Sequence, residues 1–288
     1  MRALLALIAV TAVWGVTFVQ VKDAVALYPV LAFLALRFAI ASATLAVPAA
    51  GRVRGLGRGG LRAAGGCGLL LAAGYALQTL GLQRTTVSSA GFVTGMYVVF
   101  TPLIALALLR VRIGAGAWAG VALSAAGLAL LSGVGGSAEG DLLVLGGAAV
   151  YSLQIVLMER YAARYDALAF TLVEMVAACL GLLAVSAWKL EVPHGWTVWG
   201  ALLVTGIFAS ALGFLVQTWA QRRTSATRTA LAFALEPVWA ACFGYTLAGD
   251  RLGAAAWAGC AAILAGIVLA EPVAAGALVR LVRSQPAA

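Results

Sequence analysis

Charge is what this sequence has least of: only 10% of its 288 residues are Asp, Glu, Lys or Arg. A soluble domain is about a quarter charged. Hydrophobic residues make up 64%, and mean hydropathy is +1.03. This excludes an ordinary water-soluble domain and leaves lipid as the solvent for most of the surface. Histidine is scarcer still, His194 being the only one. The four cysteines (Cys67, Cys179, Cys242 and Cys260) each lie in an apolar run, and no CxxC spacing occurs. They read as structural thiols, and no metal site is expected. No GxxxxGK[ST] loop is present, which argues against ATP-driven work by this chain alone. A membrane enzyme would need a nucleophile with its base, or paired carboxylates on a catalytic face, and the loops are too short to build one. No cofactor is implied.

What charge there is has a strong sign, +9 overall. A basic chain raises the question of nucleic acid, but the arginines sit in short clusters between apolar stretches. No basic face is interleaved with aromatics, so no nucleic-acid partner is expected. A membrane span needs about 20 mainly apolar residues. Such stretches fall at 3–21, 28–49, 62–83, 86–109, 113–132, 141–161, 166–188, 196–220, 225–248 and 252–272. Residues 1–13 have the outline of a signal peptide, with Arg2, an apolar run and small residues. Because an equivalent segment recurs in the second half, they are read here as the start of the first span.

With the N-terminus inside, the inner segments hold fourteen Lys and Arg residues and the outer segments four, with Arg37 left within a span. That bias predicts an even number of helices and cytoplasmic termini. The prediction is an all-α membrane protein of ten transmembrane helices in the cell inner membrane.

The two halves repeat. A shift of 139 carries Ala117-Trp118-Ala119-Gly120 onto Ala256-Trp257-Ala258-Gly259, and Gln78-Thr79 onto Gln217-Thr218. It also carries Arg84-Thr85 onto Arg223-Thr224, while a shift of 137 lays Val13-Trp14 on Val150-Tyr151. Each half holds five helices. An odd number inverts the second half relative to the first, as in many secondary transporters that alternate access around a midplane site. The expected units are repeats 1–135 and 136–274 and a cytoplasmic tail, 275–288.

With these motifs the chain resembles the drug/metabolite transporter superfamily, in its EamA-like ten-helix branch. The resemblance rests on Trp14-Gly15, Leu36-Arg37-Phe38, the run Ala90 to Val99 before Pro102, Leu235-Glu236-Pro237-Val238, and Trp257-Ala258-Gly259 with Ala265-Gly266. It covers essentially the whole chain. It implies a cavity lined mainly by helices 1, 3, 4, 6, 8 and 9, and export more often than uptake. The small four-helix members of the superfamily couple to protons through one glutamate in the first helix. This chain has no carboxylate there before Asp23.

Ionisable groups within spans are costly unless paired or hydrated, which makes Arg37, Glu174 and Glu236 candidates for gating or coupling. Arg37 and Glu174 are equivalent under the shift of 137 and could pair in one state and part in the other. Glu236 precedes Pro237, which is expected to kink its helix and free carbonyls toward a cavity. Gln78 and Gln217 are equivalent amides that need partners or a ligand. Thr94, Tyr97 and Thr101 share one side of their helix at helical spacing. With Trp14, Thr17, Tyr75, Tyr151 and Gln154 they outline an aromatic, hydrogen-bonding pocket for amphipathic solutes. Ordinary packing is the competing reading for each. Small-xxx-small spacings (Gly91/Gly95, Gly116/Gly120, Ala255/Gly259) predict close helix approach, either within the chain or in a homodimer. The expected function is a transporter of small metabolites, amino acids or related solutes, with a lipid translocase of the same fold as the alternative.

Overall fold

The computed structural model describes residues 2–131, 137–243 and 253–270. The predicted tail, with Arg280 and Arg283, lies outside the described residues, as do Arg251 and Glu271-Pro272. The first half contains α1 (Arg2–Leu27), α2 (Val30–Ala49), α3 (Gly57–Arg84), α4 (Val87–Gly95), α5 (Tyr97–Leu109) and α6 (Ala115–Leu131). The second contains α7 (Ala138–Tyr161), α8 (Ala167–Ser186), α9 (Trp196–Leu203), α10 (Gly213–Gln221), α11 (Ala226–Phe233), α12 (Glu236–Phe243) and α13 (Ala254–Ala270). No strand occurs among the described residues. Among the described residues, seven helical segments are long and apolar enough to cross a membrane; Ala115–Leu130 and Ala254–Ala270 are shorter apolar helices.

The helices start where the sequence supplies caps. The side chains of Thr86, Ser137, Asp166 and Ser225 accept from the backbone N–H three residues on, satisfying a donor that has no partner in the first turn. Gly195 precedes α9 at φ 81°, a left-handed conformation that accounts for a glycine after Pro193-His194. Three rods are irregular. Residues Val204–Leu212, between α9 and α10, form a π-helix. The rod α4–α5 breaks at Met96, and α11–α12 breaks at Ala234-Leu235. These two breaks are equivalent under the 139-residue shift.

Proline does not mark either break in the expected way. Pro237 is the second residue of α12, where a missing N–H costs nothing, so the interruption lies just before Glu236 rather than at a kink within a helix. Pro102 sits inside α5, well past Met96.

Packing follows the repeat. The pair α6–α13, one helix from each half, makes the most extensive contact; α2–α8 is a second such pair. Helix α3 packs on α7, and its counterpart, the α9–π–α10 rod, packs on α1. Glycines set the closest distances. A Cβ on Gly120 would lie 2.5 Å from the carbonyl oxygen of Gly266, and one on Gly127 2.6 Å from that of Gly259. The small-residue faces of α6 and α13 therefore meet each other within one chain.

Replacing Gly266 with leucine should drive its side chain into Ser124 and separate α6 from α13. Overpacking of this kind costs about 1–3 kcal/mol. Thermal unfolding in detergent should show a lowered midpoint. Gly65→Ala, at a position where a Cβ meets nothing, should leave it unchanged or slightly raised.

Candidate functional site

The two broken rods meet. Tyr97 is the first residue of α5 and Glu236 the first of α12, and they are equivalent positions of the repeat. The Tyr97 hydroxyl donates to Glu236 Oε2 at 3.4 Å. Glu236 also stands in the first turn of α12, where a negative charge is favoured by the helix dipole. Beside this pair opens a cavity whose wall includes both Tyr97 and Glu236.

Its wall combines three kinds of side chain. Aromatic rings form the first. Trp14 packs against Phe214 and Phe233, with ring centroids 5.5 and 4.8 Å away, and Tyr75 meets Tyr151 edge-on at 5.3 Å. Amides and hydroxyls form the second. Tyr151 donates to Gln78 Oε1, and Gln78 Nε2 donates to Thr94 Oγ1, both at 3.0 Å. The equivalent amide, Gln217, donates to Gln154 Oε1 at 3.1 Å. The third kind is ionic: Glu236 and Arg37.

Arg37 is held by two bonds. Its Nε donates to Ser210 Oγ at 2.7 Å and its Nη2 to the Tyr75 hydroxyl at 3.1 Å, with Cζ 4.4 Å above the Tyr75 ring. A cation over a ring gains from the ring quadrupole. Ser210 lies in the π-helix, whose Ala209 carbonyl accepts from Trp14 Nε1 at 2.8 Å. The widened turn thus presents a hydroxyl to Arg37 and a carbonyl to Trp14, both of which face the cavity. π-Turns recur at functional sites for this reason.

Of the eleven residues expected to form the pocket, the structure brings Trp14, Thr17, Tyr75, Gln78, Thr94, Tyr97, Tyr151, Gln154, Gln217 and Glu236 to this wall, together with Arg37. Thr101 is not there. It is buried on α5 outside the cavity, and its hydroxyl has no hydrogen-bond partner. Glu174 also lies off the wall, behind Gln154, whose Nε2 donates to Glu174 Oε1 at 2.8 Å. Arg37 and Glu174 do not pair in this state. The ion pairs among the described residues are Arg52–Asp166 and Arg84–Glu139, both at the surface.

Eight lining residues escaped the sequence reading. Helical spacing points to four of them: Phe18 and Val21 lie on the stripe of Trp14 and Thr17, and Leu71 and Leu82 on that of Tyr75 and Gln78. Thr79 is adjacent to Gln78, and Ile155 to Gln154. The 139-residue shift points to Phe214 and Phe233, the equivalents of Tyr75 and Thr94, and both pack on Trp14 from distant helices. No group of three metal-ligating side chains occurs among the described residues.

The model of the EamA-like transporter family matches this chain twice, over residues 1–133 and 138–270. The chain belongs to that family. It is a multi-pass membrane protein, and the family model matches its two halves separately. An uncharacterized transporter of Archaeoglobus fulgidus is 28% identical over 201 residues, a match that takes in 68% of this chain and 64% of the relative. The chain thus spans less than two-thirds of that relative's length. A crystal structure aligns over 96% of this chain and 98% of its own, with a TM-score of 0.76 at 21% identity, a likeness of fold. The cavity wall draws on the helices expected of an EamA-like chain, with Arg37 of α2 added.

In this EamA-like protein, Ser210→Ala should leave Arg37 Nε without an acceptor, in a site where Arg37 is 3% exposed. A lost buried partner costs about 1–3 kcal/mol, more for a charged group. The thermal midpoint should fall accordingly. An unchanged midpoint would mean that Arg37 finds another acceptor, and that the π-turn does not anchor it.

Proposed function

We propose that this chain is a secondary transporter that carries small amphipathic metabolites, amino acids or related solutes, across the inner membrane by alternating access, in the direction of export. In this reading ten helices span the membrane as two inverted repeats, 1–135 and 136–274, with both termini cytoplasmic. The rods α4–α5 and α11–α12 each count as one span, and α6 and α13 complete the halves.

The observation that carries the proposal is the meeting of two equivalent helix breaks, through Tyr97 and Glu236, in one cavity. Breaks in spanning helices are tolerated where they line a cavity, because freed backbone groups find partners there. Inverted repeats that share such a site can exchange inward- and outward-open arrangements by rocking one against the other. The chemistry of the wall sets the solute class. One guanidinium and one carboxylate face a cavity otherwise lined by rings, amides and hydroxyls. That suits a solute with an apolar body and one or two polar ends, and it offers no second cation for a phosphate. The lipid-translocase alternative gains nothing from the family match.

Reconstituted liposomes loaded with labelled amino acids and related solutes test the reading. Wild-type protein should release at least one of them, and Trp14→Ala, which removes the largest ring of the wall, should slow that release about tenfold or more, since an aromatic anchor is worth a kcal/mol or more. Glu236→Gln should change the dependence of flux on solute charge. Liposomes that pass no solute but scramble labelled lipid would sink the metabolite reading.

A further inference from the structure

Behind the cavity a second polar cluster joins α7, α8 and α10. Glu174 is fully buried and its Oε1 accepts from Gln154. Gln154 Oε1 in turn accepts from Gln217 Nε2, and the same nitrogen donates to Gln221 Oε1 at 2.9 Å. Gln221 Nε2 ends the chain on the Ile155 carbonyl at 2.9 Å. One turn before Glu174, Thr171 donates to Thr218 Oγ1 at 2.9 Å. None of these side chains belongs to a residue more than 3% exposed.

Two acceptors in this cluster have no donor: Glu174 Oε2 and Gln217 Oε1. They belong to the two residues that share Gln154, one on each side of it. Buried polar atoms in a native structure are almost always partnered, and each exception calls for an explanation. Gln154 and Gln217 belong to the cavity wall, but Glu174 stands behind that wall. What the cluster has too few of is hydrogen. A proton bound at Glu174 Oε2 converts that acceptor into a donor. It also removes an anion from a site where no cation is in reach.

The groups that face Glu174 are few. Gln154 comes from α7, the Thr218 and Gln217 side from α10, and the Cys67 thiol from α3. On α2, Arg37 is taken up by Ser210 and Tyr75. Glu236, the other buried carboxylate, is of a different kind. It lies on the cavity wall with a hydroxyl donor and the Arg37 charge nearby, where it can touch solute directly.

We propose that Glu174 is a proton-binding site, set behind the cavity and linked to it through Gln154 and Gln217. In the binding step a proton from solvent forms a bond to Oε2, and the carboxylate becomes a neutral carboxylic acid. Gln154 donates to Glu174 and accepts from Gln217, and both amides face the cavity. A solute that takes a hydrogen bond from Gln217 Nε2 withdraws a donor from this chain, and protonation at Glu174 restores one. Cavity occupancy and protonation are thus coupled through a shared amide, and reciprocally so. The physiological purpose of the site rests on the transport reading above.

Infrared difference spectroscopy on the full-length protein in liposomes tests the site with the proton itself as ligand, and needs no identified solute. The protonated-carboxyl C=O stretch would be titrated from about pH 5 to 9, a range that brackets strongly displaced carboxyl groups. Wild type, Glu174→Gln, Glu236→Gln and Gln154→Leu would be compared. The titrating band that persists in Glu236→Gln should be the one missing from Glu174→Gln. In Gln154→Leu it should move to higher frequency, because the donor to Oε1 is gone. If Glu174→Gln fails to fold, that frequency shift assigns the band.

A Glu236→Gln protein with no titrating band, or with one fixed across the whole range, overturns the proposal. So does a thermal midpoint that rises in NaCl over choline chloride in wild type but not in Glu174→Gln, which would assign a metal cation to the site. Absence of the band from wild type and Glu236→Gln with solute flux intact removes this proposal alone; a band with no flux removes the transport reading and leaves the proton site.

Discussion

Water is absent from most of this protein's surroundings, and every polar group within the apolar mass therefore needs a partner from the chain itself. Helices meet that demand for the backbone, which is why they dominate. The side chains meet it by pairing across helices. Gln78 takes Tyr151 and Thr94, Gln217 takes Gln154 and Gln221, and Arg37 takes Ser210 and Tyr75. These contacts collect around one cavity because that is where the helices are interrupted. The Met96 and Ala234-Leu235 breaks and the π-helix of residues 204–212 surround the same space.

The interruptions would be expensive without tight support, and the glycine seams supply it. Helix α6 lies against α13 through Gly120, Gly127, Gly259 and Gly266, while α3 lies against α7 through Gly74, Gly81, Gly140 and Gly147. These contacts bring backbones together in places where hydrophobic attraction is weak, because lipid tails are as apolar as the side chains. A rigid frame of continuous helices thus surrounds a core of broken ones. The division suits a protein whose central site must rearrange while its scaffold holds.

The site is symmetric in position and asymmetric in chemistry. Tyr97 faces its equivalent, Glu236, and the equivalent amides Gln78 and Gln217 each join neighbouring helices. Yet Arg37 is matched by Glu174, and the two differ in more than sign. Arg37 reaches the cavity and donates to Ser210 and Tyr75, whereas Glu174 is turned behind Gln154 with one oxygen unpartnered.

Much of this was legible in sequence. The scarcity of charge and the apolar runs fixed the helical class, because no other backbone satisfies itself in lipid without a closed barrel. The Trp, Gln and Gly anchors at a shift of 139 revealed the halves, since packing seams tolerate few substitutes. Ten of the cavity residues were identifiable because polar and aromatic side chains in apolar helices stand out. Their partners were not legible. Thr101 shares a helical face with Thr94 and Tyr97, yet it lies one turn beyond Tyr97 on α5, and there it is off the wall. Arg37 and Glu174 look like an ion pair in sequence, but helix rotation sends one to the π-helix and the other to Gln154. Phe214 and Phe233 are legible only through the repeat, as the equivalents of Tyr75 and Thr94. Sequence determined which groups had to be satisfied; tertiary structure decided with what, because interhelical distance and rotation depend on the whole packing and not on any one helix.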